Sequence, residues 1–218
     1  MCGRYALHAS SREIARALGT ESAPDSERSY NIPPGTYQLA AHASGHDVSV
    51  AFERIWWGYR PPWANDDAPQ PINARAEKVA TSPYFRHAFA RHRCLIPASG
   101  WFEWHQGDEG KLPYYITTEA DVLMFAGIYD PTREEGGSGS FAIITQPAAR
   151  TIAHIHSRMP LVLDAACYQD WLNPAHQDRD SIKALTRPVD PRKLVSWPVD
   201  RRVNRPANND ETLIEPAE

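Results

Sequence analysis

Nineteen of the 218 residues are proline, and that density limits what the chain can build. Each proline fixes φ and removes a backbone donor, so helix interiors and central strands rarely hold one. A chain punctuated in this way is expected to form short strands joined by turns rather than long helices. Hydrophobic residues make up 42% and charged residues 23%, the composition of a folded chain and not of a disordered tail. The length is enough to bury a sizeable core. A single domain over residues 1–218 is therefore expected.

Local patterns fill in this outline. Residues 4–8 read as a strand. Ser10 followed by Glu13 is a capping box that opens a short helix to Leu18, and Gly19 stops it. Residues 20–36 read as loop. Strands are predicted at 37–42 and 47–53, the second alternating as Val48, Val50, Phe52. Residues 56–72, rich in Trp, Pro and Asp, read as another loop. Ser82-Pro83 has the N-cap and N1 chemistry of a helix running to His92. Further strands are predicted at 94–98, 101–105, 113–118, 122–128 and 141–145, with a surface loop at 130–140. Pro147 is expected to begin a helix to Ile155, Asp164 another to Leu172, and residues 181–187 a third. A strand at 194–199 and an irregular tail complete the chain. The class is α+β, with mainly antiparallel strands forming a barrel-like core flanked by short helices.

The net charge of −4 excludes a protein that coats nucleic acid uniformly, but leaves room for a local basic groove. Only four of the 23 basic residues are Lys, a bias that suits bidentate phosphate contacts. The three cysteines, Cys2, Cys94 and Cys167, are odd in number and far apart. Neither a disulfide framework nor a metal cluster is suggested, and a reducing cytoplasm is the default. Arg4, Arg12, Glu13 and Arg16 interrupt any signal-peptide core, and no stretch approaches a membrane span.

Four short segments carry chemistry. Met1-Cys2-Gly3 places a cysteine where loss of Met1 would leave an α-amine and a thiol on one residue. Their reference pKa values, about 7.7–8.0 and 8.5, make both partly nucleophilic near neutrality. The amine adds to an aldehyde to give a Schiff base, and the thiol can then close a thiazolidine ring. The second segment is Asn73-Ala74-Arg75-Ala76-Glu77. It opens a stretch, 71–104, with five positive and two negative side chains, as a single-strand groove with aromatic stacking requires. The third is Trp101-Phe102-Glu103-Trp104. In an alternating strand Trp101, Glu103 and His105 share one face, and Phe102 and Trp104 the other. A carboxylate beside a Trp gains acid/base character by desolvation, whereas the same Glu on an edge strand simply faces water. The fourth is Ile155-His156-Ser157-Arg158-Met159-Pro160, a histidine suited to proton transfer with an arginine two residues on. His154 and His156 alone do not make a metal site.

Taken together, and with Tyr30-Asn31-Ile32-Pro33-Pro34-Gly35, Trp56-Trp57-Gly58 and Cys94-Leu95-Ile96-Pro97-Ala98, the chain resembles the SRAP family (SOS response-associated peptidase). The resemblance covers almost the whole chain in the family's order. It implies that processed Cys2 captures the aldehyde of an abasic site in single-stranded DNA as a covalent thiazolidine. It also implies that Asn73 orients the Cys2 main chain or the sugar, and that Glu103 and His156 move protons. Arg75 and Arg158, with Arg4 more weakly, would grip phosphates, and Trp104 would stack or wedge beside the lesion. No metal or organic cofactor is implied, no membrane is involved, and a monomer in the cytoplasm, on the nucleoid when DNA-bound, is expected. Asp66 and Asp67 in the 61–70 loop sit poorly with a phosphate groove there. The rival is an N-terminal-nucleophile or cysteine-type amidohydrolase or peptidase, including self-removal of Met1. A non-catalytic single-strand binder is the third reading.

Overall fold

The computed structural model describes residues 2–45, 49–65, 67–108, 110–131 and 139–217. Its strands are β1 (Tyr5–Leu7), β2 (Ser29–Ile32), β3 (Tyr37–Ala43), β4 (Val50–Trp57), β5 (Asn73–Arg75), β6 (Arg93–Ala98) and β7 (Gly100–Gly107). They continue as β8 (Gly110–Thr117), β9 (Leu123–Asp130), β10 (Ser140–Pro147), β11 (Arg158–Pro160), β12 (Val162–Leu163) and β13 (Val195–Pro198). Among the described residues four short α-helices accompany them: α1 (Ser11–Leu18), α2 (Arg86–Arg91), α3 (Tyr168–Leu172) and α4 (Arg179–Leu185).

The larger sheet runs β11-β10-β4-β3-β6-β9-β12, and β9 pairs back onto β10. Strands β10, β4, β3, β6 and β9 thus close into a ring, antiparallel except between β4 and β10. Closure removes free sheet edges and encloses a core. The smaller sheet, β13-β8-β7-β1-β2, is antiparallel throughout. The expected α+β, mainly antiparallel, barrel-like architecture is what the structure has. None of the described helices is long and apolar enough to cross a membrane.

Tyr5 of β1 binds the two layers, its ring edge-on to Trp57 at 5.3 Å and to Phe125 at 5.9 Å. A second cluster, Ala6, Phe102, Tyr115, Val199, Val203 and Leu213, lies apart from this core. The close approach of β7 to β8 explains Gly100: a Cβ there would fall 2.4 Å from the Tyr115 ring and 2.8 Å from the Ile116 carbonyl. In α1 the capping box is present in full, and Gly19 ends the helix at φ 67°.

Several local expectations are corrected. The loop 20–36 contains β2, held by pairing with β1. Strand β4 runs on to Trp57, because Ile55 and Trp56 pair with Gln38 and Tyr37; residues 47 and 48 of the expected strand lie outside the described residues, as do 132–138 of the expected 130–140 loop. Helix α2 begins at Arg86 and not at Ser82, which instead makes a preceding turn through Ser82 Oγ and the Tyr84 N–H. The helix expected over 147–155 is absent. Pro147 is the last residue of β10, and pairs with Arg158 across an antiparallel β10–β11 ladder. That ladder takes the backbone groups a helix would need, and it carries His156 and Arg158 back to the end of β10.

Candidate functional site

Cys2 is completely buried although it is the second residue of the chain. Its carbonyl accepts a hydrogen bond from Asn73 Nδ2 at 2.9 Å. Asn73 is fixed from behind, because β5 runs parallel to β10 with Asn73 opposite Ile143. The preceding carbonyl, of Ile72, accepts from both Trp57 Nε1 and the Ile143 N–H. The Asn73 Oδ1 is buried and has no hydrogen-bond partner among the described residues.

Glu103 reaches the same place from β7. Strand β1 pairs with β7 through Tyr5 and Trp101, and the Phe102 N–H donates to the Arg4 carbonyl. Glu103 is 2% exposed. Burial pushes its carboxyl up to about 7, because the charged form loses its hydration. Burial also raises the Cys2 thiol well above its ordinary value, and the charge of Glu103 adds to that rise. His156 Nδ1 lies 3.8 Å from Glu103 Oε2, a charge contact longer than a hydrogen bond. The Arg158 N–H donates to His156 Nδ1 at 3.0 Å, and burial lowers the histidine pKa. A carboxyl poised near neutrality beside a histidine biased toward its neutral form is a matched acid–base pair.

The structure therefore brings Cys2, Asn73, Glu103 and His156 together. The other expected residues divide. Arg75 is exposed on β5, opposite Thr145. Arg158 is engaged: its guanidinium bonds both carboxylate oxygens of Glu77, at 2.5 and 3.0 Å, and the Thr145 carbonyl at 2.6 Å. Arg4 donates to Asn31 Oδ1 and to the Val203 carbonyl, and lies 5.9 Å over the Trp104 ring. Trp104 donates to Asn204 Oδ1 at 2.7 Å and packs on the second cluster. Arg4 and Trp104 thus stand on the face of β7 opposite Glu103.

The basic stretch 71–104 is less of a groove than its charge count predicts. Arg93 is 3% exposed and donates to the carbonyls of Phe89, Ala90, Trp171 and Asn173. It ties the end of α2 to α3 and faces no ligand. Glu77, the partner of Arg158, was missed by the sequence reading. Cys94 and Cys167 are buried thiols.

A family description, SOS response associated peptidase (SRAP), matches residues 1–206. YoqW of Bacillus subtilis strain 168, named an abasic site processing protein, is 33% identical over 224 residues, covering 99% of each chain. YedK of Escherichia coli K12, named likewise, is 32% identical over 226 residues, covering 99% of this chain and 100% of its own. The crystal structure of a protein from Bacteroides thetaiotaomicron matches with a TM-score of 0.83 at 25% identity, over the full length of both chains.

Proposed function

Since the chain belongs to the SOS response-associated peptidase family, we propose that it processes abasic sites in single-stranded DNA by capturing the sugar aldehyde on Cys2. Removal of Met1 turns the Cys2 amide nitrogen into an α-amine. The amine adds to C1′ of the ring-opened sugar, and loss of water leaves a Schiff base. The Cys2 sulfur then bonds to the same carbon of the protonated Schiff base while Glu103 takes the thiol proton, and the nitrogen keeps the hydrogen it already carries. One thiazolidine and one water result, with no oxidant or cofactor required.

The observation that carries this reading is the buried Glu103, raised to about 7, beside a Cys2 whose carbonyl Asn73 holds. A carboxyl in that range keeps a proton to help the carbinolamine hydroxyl leave as water. It then takes the proton of a thiol that burial keeps protonated. His156, biased toward its neutral form, supports the sugar hydroxyl and relays protons with Glu103 in ring closure and in reversal. A cysteine peptidase asks the opposite of its sulfur, a lowered thiol pKa, and is the weaker reading for that reason.

Abasic DNA offers no base to read, so backbone charge and the aldehyde must carry recognition, with little sequence preference. Arg75, exposed on β5, meets a phosphate directly. Arg158 does so by exchanging Glu77 for the phosphate. Trp104, with Arg4 over its ring, supports the flanking strand from the other face of β7. The adduct itself is the product and shields the strand.

The test is incubation of protein, its N-terminus verified by mass spectrometry, with a single-stranded oligonucleotide carrying one abasic site. A denaturing gel is expected to show a heat-stable shifted band that requires both the lesion and Cys2, and that disappears in Cys2→Ala. No band from protein lacking Met1 overturns the reading, and cleavage of a peptide or of glutamine would replace it with the amidohydrolase alternative.

A further inference from the structure

At the other end of β10, where Ser140 pairs with Asp130, lies a cluster that the Cys2 chemistry does not use. His87 stands on the exposed side of α2, His92 caps the end of that helix, and Asp130 is the last residue of β9. One ligand atom from each lies within 4.8 Å of the others. We propose that His87, His92 and Asp130 form a binding site for a divalent transition-metal ion of the zinc class, distinct from the Cys2 centre.

The donor set argues for that class of ion. Two imidazoles and one carboxylate suit zinc, cobalt or nickel, whereas calcium and magnesium take oxygen ligands almost alone. Three protein ligands leave a fourth position for water or a further donor, and His87 is exposed to solvent.

The scaffold around the cluster is built to hold it. The Tyr59 hydroxyl donates to Asp130 Oδ2 at 3.2 Å, and Tyr59 itself is 1% exposed. An outer hydrogen bond of this kind orients a carboxylate ligand and strengthens metal binding. The His92 carbonyl accepts from the Tyr129 N–H at 2.9 Å, which sets the histidine against the end of β9. Arg93, bonded to the Phe89 and Ala90 carbonyls, fixes the last turn of α2 from the next residue. The His87 and His92 rings meet edge to face, with centroids 5.5 Å apart. A bound ion would staple α2 to the end of β9.

The experiment uses the full chain with any affinity tag removed, stripped with a chelator and titrated with Zn²⁺ by calorimetry. Co²⁺ absorption reports the coordination geometry. The expected result is one equivalent bound. Affinity should fall by more than about tenfold in His87→Ala and by about tenfold in Tyr59→Phe, and stay unchanged in His176→Ala. Because His87 is exposed, its variant keeps the fold, and circular dichroism verifies that. Absence of binding overturns the proposal. So does binding that survives His87→Ala, and so does binding lost in Cys2→Ala, which would put the ion at the other centre.

Discussion

The two faces of β7 are made by alternate residues of one strand, yet they are built for opposite ends. On one face Glu103 is a buried carboxyl raised to about 7 beside His156 and Cys2. A group in that state costs stability whenever it ionises, because burial takes the hydration from its charged form. On the other face Phe102 is fully buried with Ala6, Tyr115, Val199, Val203 and Leu213. There Trp104 donates to Asn204, Trp197 to the Ile214 carbonyl, and Arg4 Nη1 to Asn31 and Val203. The apolar face anchors the C-terminal turns and holds the strand in place, and the polar face is thereby free to carry a strained charge. Stability and chemistry are separated by a single residue step, so substitutions on the two faces should separate them too.

The largest effect is expected from Glu103→Gln. It keeps the shape and removes the proton carrier, so the rate of adduct formation should drop by about a hundredfold or more. Stability should move the other way. The folded pKa of Glu103 lies above its unfolded value, so its contribution is fully present below about pH 4.5 and is lost as pH rises through about 7. The loss is on the order of 3 kcal/mol. Glu103→Gln should abolish this slope, as denaturant melts between pH 4 and 8 would reveal. Phe102→Ala, on the other face, is expected to cost about 3–5 kcal/mol of stability from transfer and cavity terms. Its adduct rate per folded molecule should stay within about twofold of the parent. A Phe102→Ala variant that slows the chemistry as much as Glu103→Gln would show that the two faces are not independent.

A smaller effect tests the polar face alone. Asn73→Ala removes the donor to the Cys2 carbonyl, a bond at 2.9 Å, and should slow adduct formation by about tenfold. Asn73→Asp has the same shape without the donor, and should behave like the alanine variant. Full activity in Asn73→Asp would mean that the side chain is needed for its size and not for its hydrogen bond.

Much of this division was legible in the sequence. Period-two alternation put Glu103 and Trp104 on opposite faces before any fold was known, and the capping box of α1 was readable from Ser10 and Glu13. The closed ring was foreseen only as a class, because strand order depends on contacts between distant segments. Strands β2 and β5 escaped notice. Each is three or four residues long beside Pro33 or Pro71, too short to show a period, and each exists because a neighbouring strand pairs with it. Pro147 has helix-starting chemistry, but the β10–β11 ladder overrides it. Arg158 and Glu77 are 81 residues apart, so their pairing leaves no local trace, and the burial of Arg93 likewise depends on carbonyls of α3 that no local pattern supplies.

Trp104→Phe is the mildest substitution and the sharpest test of the separation. It removes the 2.7 Å bond from Nε1 to Asn204, which should cost about 1 kcal/mol of stability. An aromatic ring remains under Arg4 and beside the flanking strand. Under the proposed function, affinity for a single-stranded oligonucleotide should then change little, whereas Trp104→Ala should weaken it by removing a stacking surface. Neither variant should alter the rate of ring closure at saturating DNA, because the Trp104 side chain points away from Glu103 and Cys2. Rate measurements by quenched gel assay, at oligonucleotide concentrations well above the binding constant, distinguish the two terms. If Trp104→Phe slows the saturated rate while leaving stability and affinity unchanged, β7 transmits strain between its faces. The apolar cluster would then be part of the acid–base machinery and not only its support.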